Sequence, residues 1–335
     1  MMHYRTIGNT GIEVSVICWG TDMLGGLVKQ NEGEKIIKTL RQHGVNFIDT
    51  ADAYQNGNSE CLLGELIRDD RKRWILATKA GYPLPSDEKG PRLSRDRILK
   101  KFESSLERLG TDYVDIYYLH VIDPQTTIAE TVRTMGEVVE SGRARCWGFS
   151  NYYAWQIAEM IRICDLEGIP RPVIAQTHYN IFKRYPEREY LPACEHFDIS
   201  VIGYSPLARG VLTGKYKPGT PPPTESRKSL ETTFTMNAEY HPESLELAQK
   251  IKQHAETQKM GPVQFALLWV IQNRIVASVI AGPRNVEQLL DYLKAFEHKF
   301  TEENESFVEN LIPAGQEIPP NYVRRFLPVT GRRLK

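Results

Sequence analysis

Along this chain, short runs of β-branched and aromatic residues alternate with longer stretches in which apolar positions recur every third or fourth residue. The short runs predict strands at residues 15–20, 46–49, 74–79, 114–119, 145–149, 173–176, 200–204 and 277–281. The stretches between them carry helix ends as well as helical spacing. Ser94 stands as an N-cap, Ile98, Phe102, Leu106 and Leu109 follow on one stripe, and Gly110 closes the segment. Ser59 likewise precedes CLLGELI, and His43-Gly44, Ser141-Gly142 and Glu167-Gly168 end the helical runs ahead of the second, fifth and sixth strands. After the last strand, residues 286–296 and 302–311 read as helices, and the tail 313–335 has too little pattern to assign. At the other end, residues 4–6 and 12–14 flank the turn-rich GNTG and predict a small N-terminal hairpin within residues 1–14.

Strand, loop, helix, strand, repeated over the whole length, implies parallel strands joined by right-handed crossovers. Eight such units close most naturally into a (β/α)8 TIM barrel, here a single domain over residues 1–335. A doubly wound open sheet is the alternative, but no G-x-G-x-x-G follows any predicted strand. One interval breaks the rhythm: residues 211–241, after the seventh strand, are rich in Pro, Thr and Ser and longer than a plain connection needs. Long loops on this face of a barrel commonly cover a cofactor, and the plain alternative is a surface excursion.

Composition narrows the partners. Lys and Arg total 42 against 42 for Asp and Glu, with no basic cluster interleaved with aromatics, so a nucleic-acid surface is not expected. No segment approaches about twenty uninterrupted apolar residues and the opening lacks a signal pattern, so no membrane association and a cytoplasmic location are expected. Five cysteines, Cys18, Cys61, Cys146, Cys164 and Cys194, show neither a close pair nor the spacing of a zinc site. They read as reduced, mostly buried thiols, and no metal is expected.

The chemistry is concentrated at strand ends. VNFIDTADAY (residues 45–54) runs apolar into Asp49 and then reaches Tyr54; WILATKA runs into Lys79; VDIYYLH runs into His120. In a parallel barrel these four side chains share one rim, where active sites of this fold draw on several strand ends. A buried carboxylate needs a cationic partner, which Lys79 supplies to Asp49. Tyrosine titrates near about 10 in water, so a proton-donating Tyr54 gains from an ammonium that stabilises its anion. His120 would orient a carbonyl oxygen. The set places a proton on a developing alkoxide but holds no reductant, so a cofactor must supply the hydride.

GVNFIDTADAYQNGNSECLLGELI, the strand ending in Lys79, YYLH, WGFSNY, IAQTHYN and IGYSPLARGVLTGKY, in this order and spacing, resemble the aldo-keto reductase superfamily over nearly the whole chain. The resemblance implies the same barrel and the same four catalytic residues, Asp49, Tyr54, Lys79 and His120. It further implies that Ser150, Asn151 and Gln176 hold a nicotinamide carboxamide and that Tyr204 stacks on the ring. Ser205, Pro206, Leu207, Arg209, Gly210 and Lys215 fall on its pyrophosphate side, and Gly20, Thr21, Asp22 and Asp49 near the first strand tips. GPRNVEQ follows the eighth strand, where Arg284 matches the position that binds an adenosine 2'-phosphate, with Gly282, Asn285 and Gln288 beside it. NADPH is therefore expected over NADH.

Two departures stand out. Tyr292 occupies a position at which many members carry a polar adenine contact, and Asp22 stands where many carry a tryptophan. An acid there suits a polar or hydroxylated substrate, or else caps a turn; Tyr82 and Val121 are the other candidates for the substrate wall. The expected activity is reduction of an aldehyde or ketone. The alternatives are a sugar or polyol dehydrogenase running the same chemistry in reverse, and a nucleotide-sensing subunit that accompanies a membrane channel. The small-molecule carbonyl or alcohol is left unspecified, as is the choice between monomer and homo-oligomer.

Overall fold

The computed structural model of this protein describes residues 2–84, 89–230, 236 and 239–319. Eight parallel strands close on themselves: β3 (Ile17–Gly20), β4 (Phe47–Asp49), β5 (Ile75–Ala80), β6 (Val114–Leu119), β7 (Ala144–Ser150), β8 (Ile174–His178), β9 (Ser200–Tyr204) and β10 (Val276–Ala281). β10 pairs with both β9 and β3, so no edge is left in the sheet. The fold is the (β/α)8 barrel that the alternation of patterns predicts, with helices on the outside.

The hairpin is present as β1 (Tyr4–Thr6), where expected, and β2 (Glu13–Ser15), which runs one residue later than expected, with Tyr4 opposite Ser15 and Arg5 opposite Val14. The slip has a packing reason. Ile7, Ile12 and Val14 are buried against Cys18, Phe47, Ile116 and Ile202, so the hairpin plugs one end of the barrel interior with its apolar residues. The expected first strand is consequently divided, β2 ending at Ser15 and β3 starting at Ile17.

The outer helices follow their predicted stripes. In α3 (Arg95–Leu109), Ile98, Phe102, Leu106 and Leu109 are buried and contribute about 1.5–3 kcal/mol each. Gly110 ends the helix in the left-handed region (φ 61), which a residue with a Cβ adopts only at a cost. Between β9 and β10 come α7 (Pro242–Thr257) and then α8 (Pro262–Gln272). α8, PVQFALLWVIQ, is buried at nine successive positions from Val263 to Ile271. It therefore has no polar face, and no helical stripe could announce it.

α9 (Val286–Leu293) and α10 (Glu302–Leu311) sit where expected. Within the expected cofactor-covering interval 211–241, residues 231–235 and 237–238 lie outside the described residues, as do residues 320–335 of the tail. The described start of that tail lies against the segment after β8, where Ile318 N donates to Phe182 O (2.8 Å) and Lys183 Nζ to Pro319 O (2.8 Å). Among the described residues no helix is long and apolar enough to cross a membrane, and no group of three or more His, Cys, Asp or Glu is placed to hold a metal ion.

Candidate active site

Asp49 ends β4 with its side chain inside the barrel and no exposure to solvent. Five residues later the chain turns sharply at Tyr54–Gly57, with Gln55 and Asn56 both left-handed (φ 50 and 56), and this turn sets the Tyr54 ring over the tip of β5. Lys79, buried on β5, reaches three oxygens. Its Nζ donates to Asp49 Oδ1, to Thr50 O (2.7 Å) and to the Tyr54 hydroxyl (3.0 Å), so its three protons are all engaged. Gln176, in the middle of β8, donates to the second Asp49 oxygen (2.5 Å). His120, just beyond β6, is held by its backbone N–H on Ala80 O (2.8 Å) and meets Tyr54 edge to face, ring centroids 5.9 Å apart. Tyr82 packs on the other side of His120 at 5.0 Å. The His120 Nδ1 atom is buried without a hydrogen-bond partner.

The charges are set by burial and by one another. Burial opposes charge on Lys79, yet Asp49 and Tyr54 outweigh it and hold the ammonium above its ordinary pKa. Burial pushes the Asp49 carboxyl up, against the pull of Lys79 and Gln176. Burial and the Lys79 charge push His120 well below the usual imidazole range, so the ring is neutral at pH 7. Tyr54 reverses the expectation that the ammonium makes it acidic: burial outweighs Lys79 and pushes the phenol up to about 12. A protonated phenol backed by an ammonium, beside a neutral imidazole, is equipped to give a proton to an oxygen.

A cavity of about 600 Å³ opens over this group. Tyr54, Tyr82, His120, Asp22 and Gly20 line its near side, with Ser150, Asn151, Gln176 and Tyr204 beneath. Ser205, Pro206, Leu207, Arg209, Gly210 and Lys215 form one wall, and Gly282, Arg284 and Gln288 the far end. Not every expected site residue lines it: Asn285 caps α9, its side chain accepting from Gln288 N (2.9 Å). Asp49 and Lys79 lie directly under Tyr54, Thr21 spends its hydroxyl on Asp49 O and Ser59, and Val121 is buried behind the rim. Asn151, left-handed at φ 61, ties the floor together, its amide donating to His120 O (3.0 Å) and Ser150 Oγ (2.8 Å) and accepting from Tyr204 OH (2.8 Å).

The walls are cationic. Arg209, in the left-handed turn Ala208–Gly210, lines the cavity together with Lys215 and Arg284. Arg227 joins them from the long connection, its guanidinium 3.7 Å from Asp22 Oδ2, while Arg284 Nη1 donates to Glu225 O (2.8 Å). Burial, with Arg284 and Arg227 adding to it, pushes Lys215 down to about 8. Residues that repel one another's charge in this way are suited to a polyanion such as a dinucleotide diphosphate. Arg227, with Gln55 and Met23, also lines the cavity, and sequence reasoning missed all three; the one signal was a lone Ser-Arg-Lys-Ser inside a Pro- and Thr-rich stretch. Asp22 faces the cavity rather than capping a turn with its carboxylate.

A barrel with this rim defines a class, and sequence comparison agrees: the aldo/keto reductase family model matches residues 16–312, so the chain belongs to that family, whose members are nicotinamide-dependent oxidoreductases. Among its relatives, a probable voltage-gated potassium channel subunit beta of Arabidopsis thaliana is 37% identical over 302 residues, covering 88% of this chain and 91% of the relative. A protein of the same description from Oryza sativa subsp. japonica is 34% identical, covering 88% of this chain and 92% of the relative. A putative voltage-gated potassium channel subunit beta of Schizosaccharomyces pombe is 33% identical, covering 92% and 90%.

Proposed function

We propose that this protein reduces an aldehyde or ketone to an alcohol with NADPH, Tyr54 donating the proton. The observation that carries the reading is the Lys79 ammonium held between Asp49 and the Tyr54 hydroxyl, 3.0 Å from the latter. When bound, the nicotinamide supplies the reducing equivalent. The chain's own residues do the rest. Tyr54 keeps its proton at neutral pH and releases it to the oxygen that becomes an alkoxide; Lys79 then stabilises the phenolate, and Asp49 keeps Lys79 charged and in place. Neutral His120, its ring lining the cavity and packed by Tyr54 and Tyr82, orients the carbonyl. The alternative, oxidation of a sugar or polyol, runs the same chemistry in reverse, and direction follows from the cofactor ratio and the substrate.

Arg284, with Lys215 and Arg227 beside it, supports a 2'-phosphate and hence NADPH over NADH. The carboxylate of Asp22 supports a polar or hydroxylated substrate. The reading includes a single domain over residues 1–335 and a cytoplasmic site of action.

The test is Tyr54→Phe, which is expected to lower turnover by about 10²–10⁴-fold while NADPH binding persists. Near-normal reduction by that variant removes Tyr54 as the acid. A second reading, a nucleotide-sensing subunit accompanying a membrane channel, is favoured by the descriptions of the three relatives. It is distinguished by NADPH binding without turnover on any carbonyl panel, together with co-purification of a membrane partner.

A further inference from the structure

Behind the ring of Tyr204, away from the cavity floor it forms, lies a histidine–carboxylate pair that the proton relay does not use. His178, the last residue of β8, lies flat against Tyr204 with ring centroids 5.1 Å apart and planes 5° from parallel. Its Nε2 is 2.7 Å from Glu239 Oε1, and neither side chain has any exposure to solvent. Glu239 reaches this place from the far end of the long connection, just before α7. Lys183 and Arg209 are the other charges facing the pair, and together with His178 they keep Glu239 a carboxylate against the cost of burial. Burial in turn lowers the imidazole's pKa, so the ring is neutral, and a carboxylate 2.7 Å from Nε2 places its one proton on that nitrogen. Asn180, two residues on, donates to Ser205 O (2.9 Å), and Tyr179 N reaches Tyr204 O (3.4 Å). The tip of β9 is therefore clasped from the β8 side at both backbone and ring.

An apolar pair would fill the same space without desolvating a carboxylate, whose burial costs several kcal/mol even when partnered. What the carboxylate adds is direction: it fixes the imidazole rotamer, and the imidazole fixes the plane of Tyr204, whose hydroxyl is already tied to Asn151 Oδ1. We infer that Glu239 and His178 are positioning residues for the nicotinamide, holding from behind the tyrosine ring on which it stacks. This rests on the proposed role of Tyr204 beneath the cofactor.

The experiment uses the full chain and NADPH as the probe, following the release rate by stopped-flow chase and the emission of the bound cofactor, with a melting temperature for each variant. Glu239→Ala leaves the His178 N–H without its acceptor and is expected to speed release about tenfold and shift emission toward that of free NADPH. His178→Asn keeps a donor but loses the flat ring, and gives the same two changes even where Glu239→Ala does not fold. His178→Phe keeps a flat ring but loses the N–H through which Glu239 orients it, so it speeds release and shifts emission as Glu239→Ala does, and adding Glu239→Ala to it changes neither readout further. A lower melting temperature with unchanged release and emission in Glu239→Ala or His178→Asn shows the pair to be packing only and overturns the inference. Wild-type protein that binds no NADPH overturns both this and the reading of the site on which it rests.

Discussion

The two halves of the cavity differ in how their charges are balanced. On the β4 to β6 side, Asp49, Lys79 and Tyr54, joined by Gln176 from β8, satisfy one another within a few ångströms without any ligand. On the β9 to β10 side, Arg209, Lys215, Arg227 and Arg284 gather round the cavity, and Lys215 is pushed down to about 8 in their company. The first half is preorganised for moving a proton, so its geometry need not wait for a substrate. The second is stabilised by an incoming anion, so its energetics change when one arrives.

The sharpest way to break this contrast is to remove a charge from the satisfied half. Lys79→Met leaves Asp49 buried without its ion-pair partner, and the expected outcome is a loss of about 3–5 kcal/mol in folding stability together with loss of turnover. Adding Asp49→Asn restores much of the stability and none of the activity. Denaturant unfolding of the two variants checks this; a double variant no more stable than the single one shows that the pair is not balanced as described.

On the cationic half the corresponding change acts on the ligand instead of the fold. Arg284→Ala is expected to weaken NADPH about 10–100-fold, leave NADH nearly unchanged, and shift the melting temperature of the protein little. Fluorescence titrations with the two cofactors measure it, and an equal loss for both removes the 2'-phosphate from the account.

The same contrast explains what could be read from the chain. Asp49, Lys79 and His120 each stand at or next to the end of an apolar strand, and a strand's period of two determines which face its residues share, so their convergence on one rim is legible in the chain. The barrel followed from repeated alternation, whereas α8 escaped because a helix buried on all sides leaves no stripe. Arg227 and Glu239 escaped for another reason. Both sit in a connection whose path follows from tertiary contacts such as Asp22 and His178, and no local periodicity encodes those. The enhanced acidity expected of Tyr54 is not found, because a sequence shows a neighbouring ammonium but not the depth of burial that outweighs it.

The smallest expected effect sharpens the contrast by pH. Lys215 titrates at about 8 in the free protein because burial and its cationic neighbours disfavour its charge. A bound phosphate favours the ammonium and raises that pKa, so binding above pH 8 takes up a proton. The sign follows directly: NADPH affinity is constant below about pH 7.5 and falls as pH rises past 8, approaching about tenfold per pH unit until the bound-state pKa is reached. The proton relay contributes nothing in that window, since Tyr54 titrates at about 12 and His120 is already neutral. Titrations from pH 7 to 9.5 should therefore show the decline in the wild type and in Tyr54→Phe alike, and a flatter line in Lys215→Met. A decline that persists unchanged in Lys215→Met assigns the titration to another group and dissolves the link between crowded cations and ligand affinity.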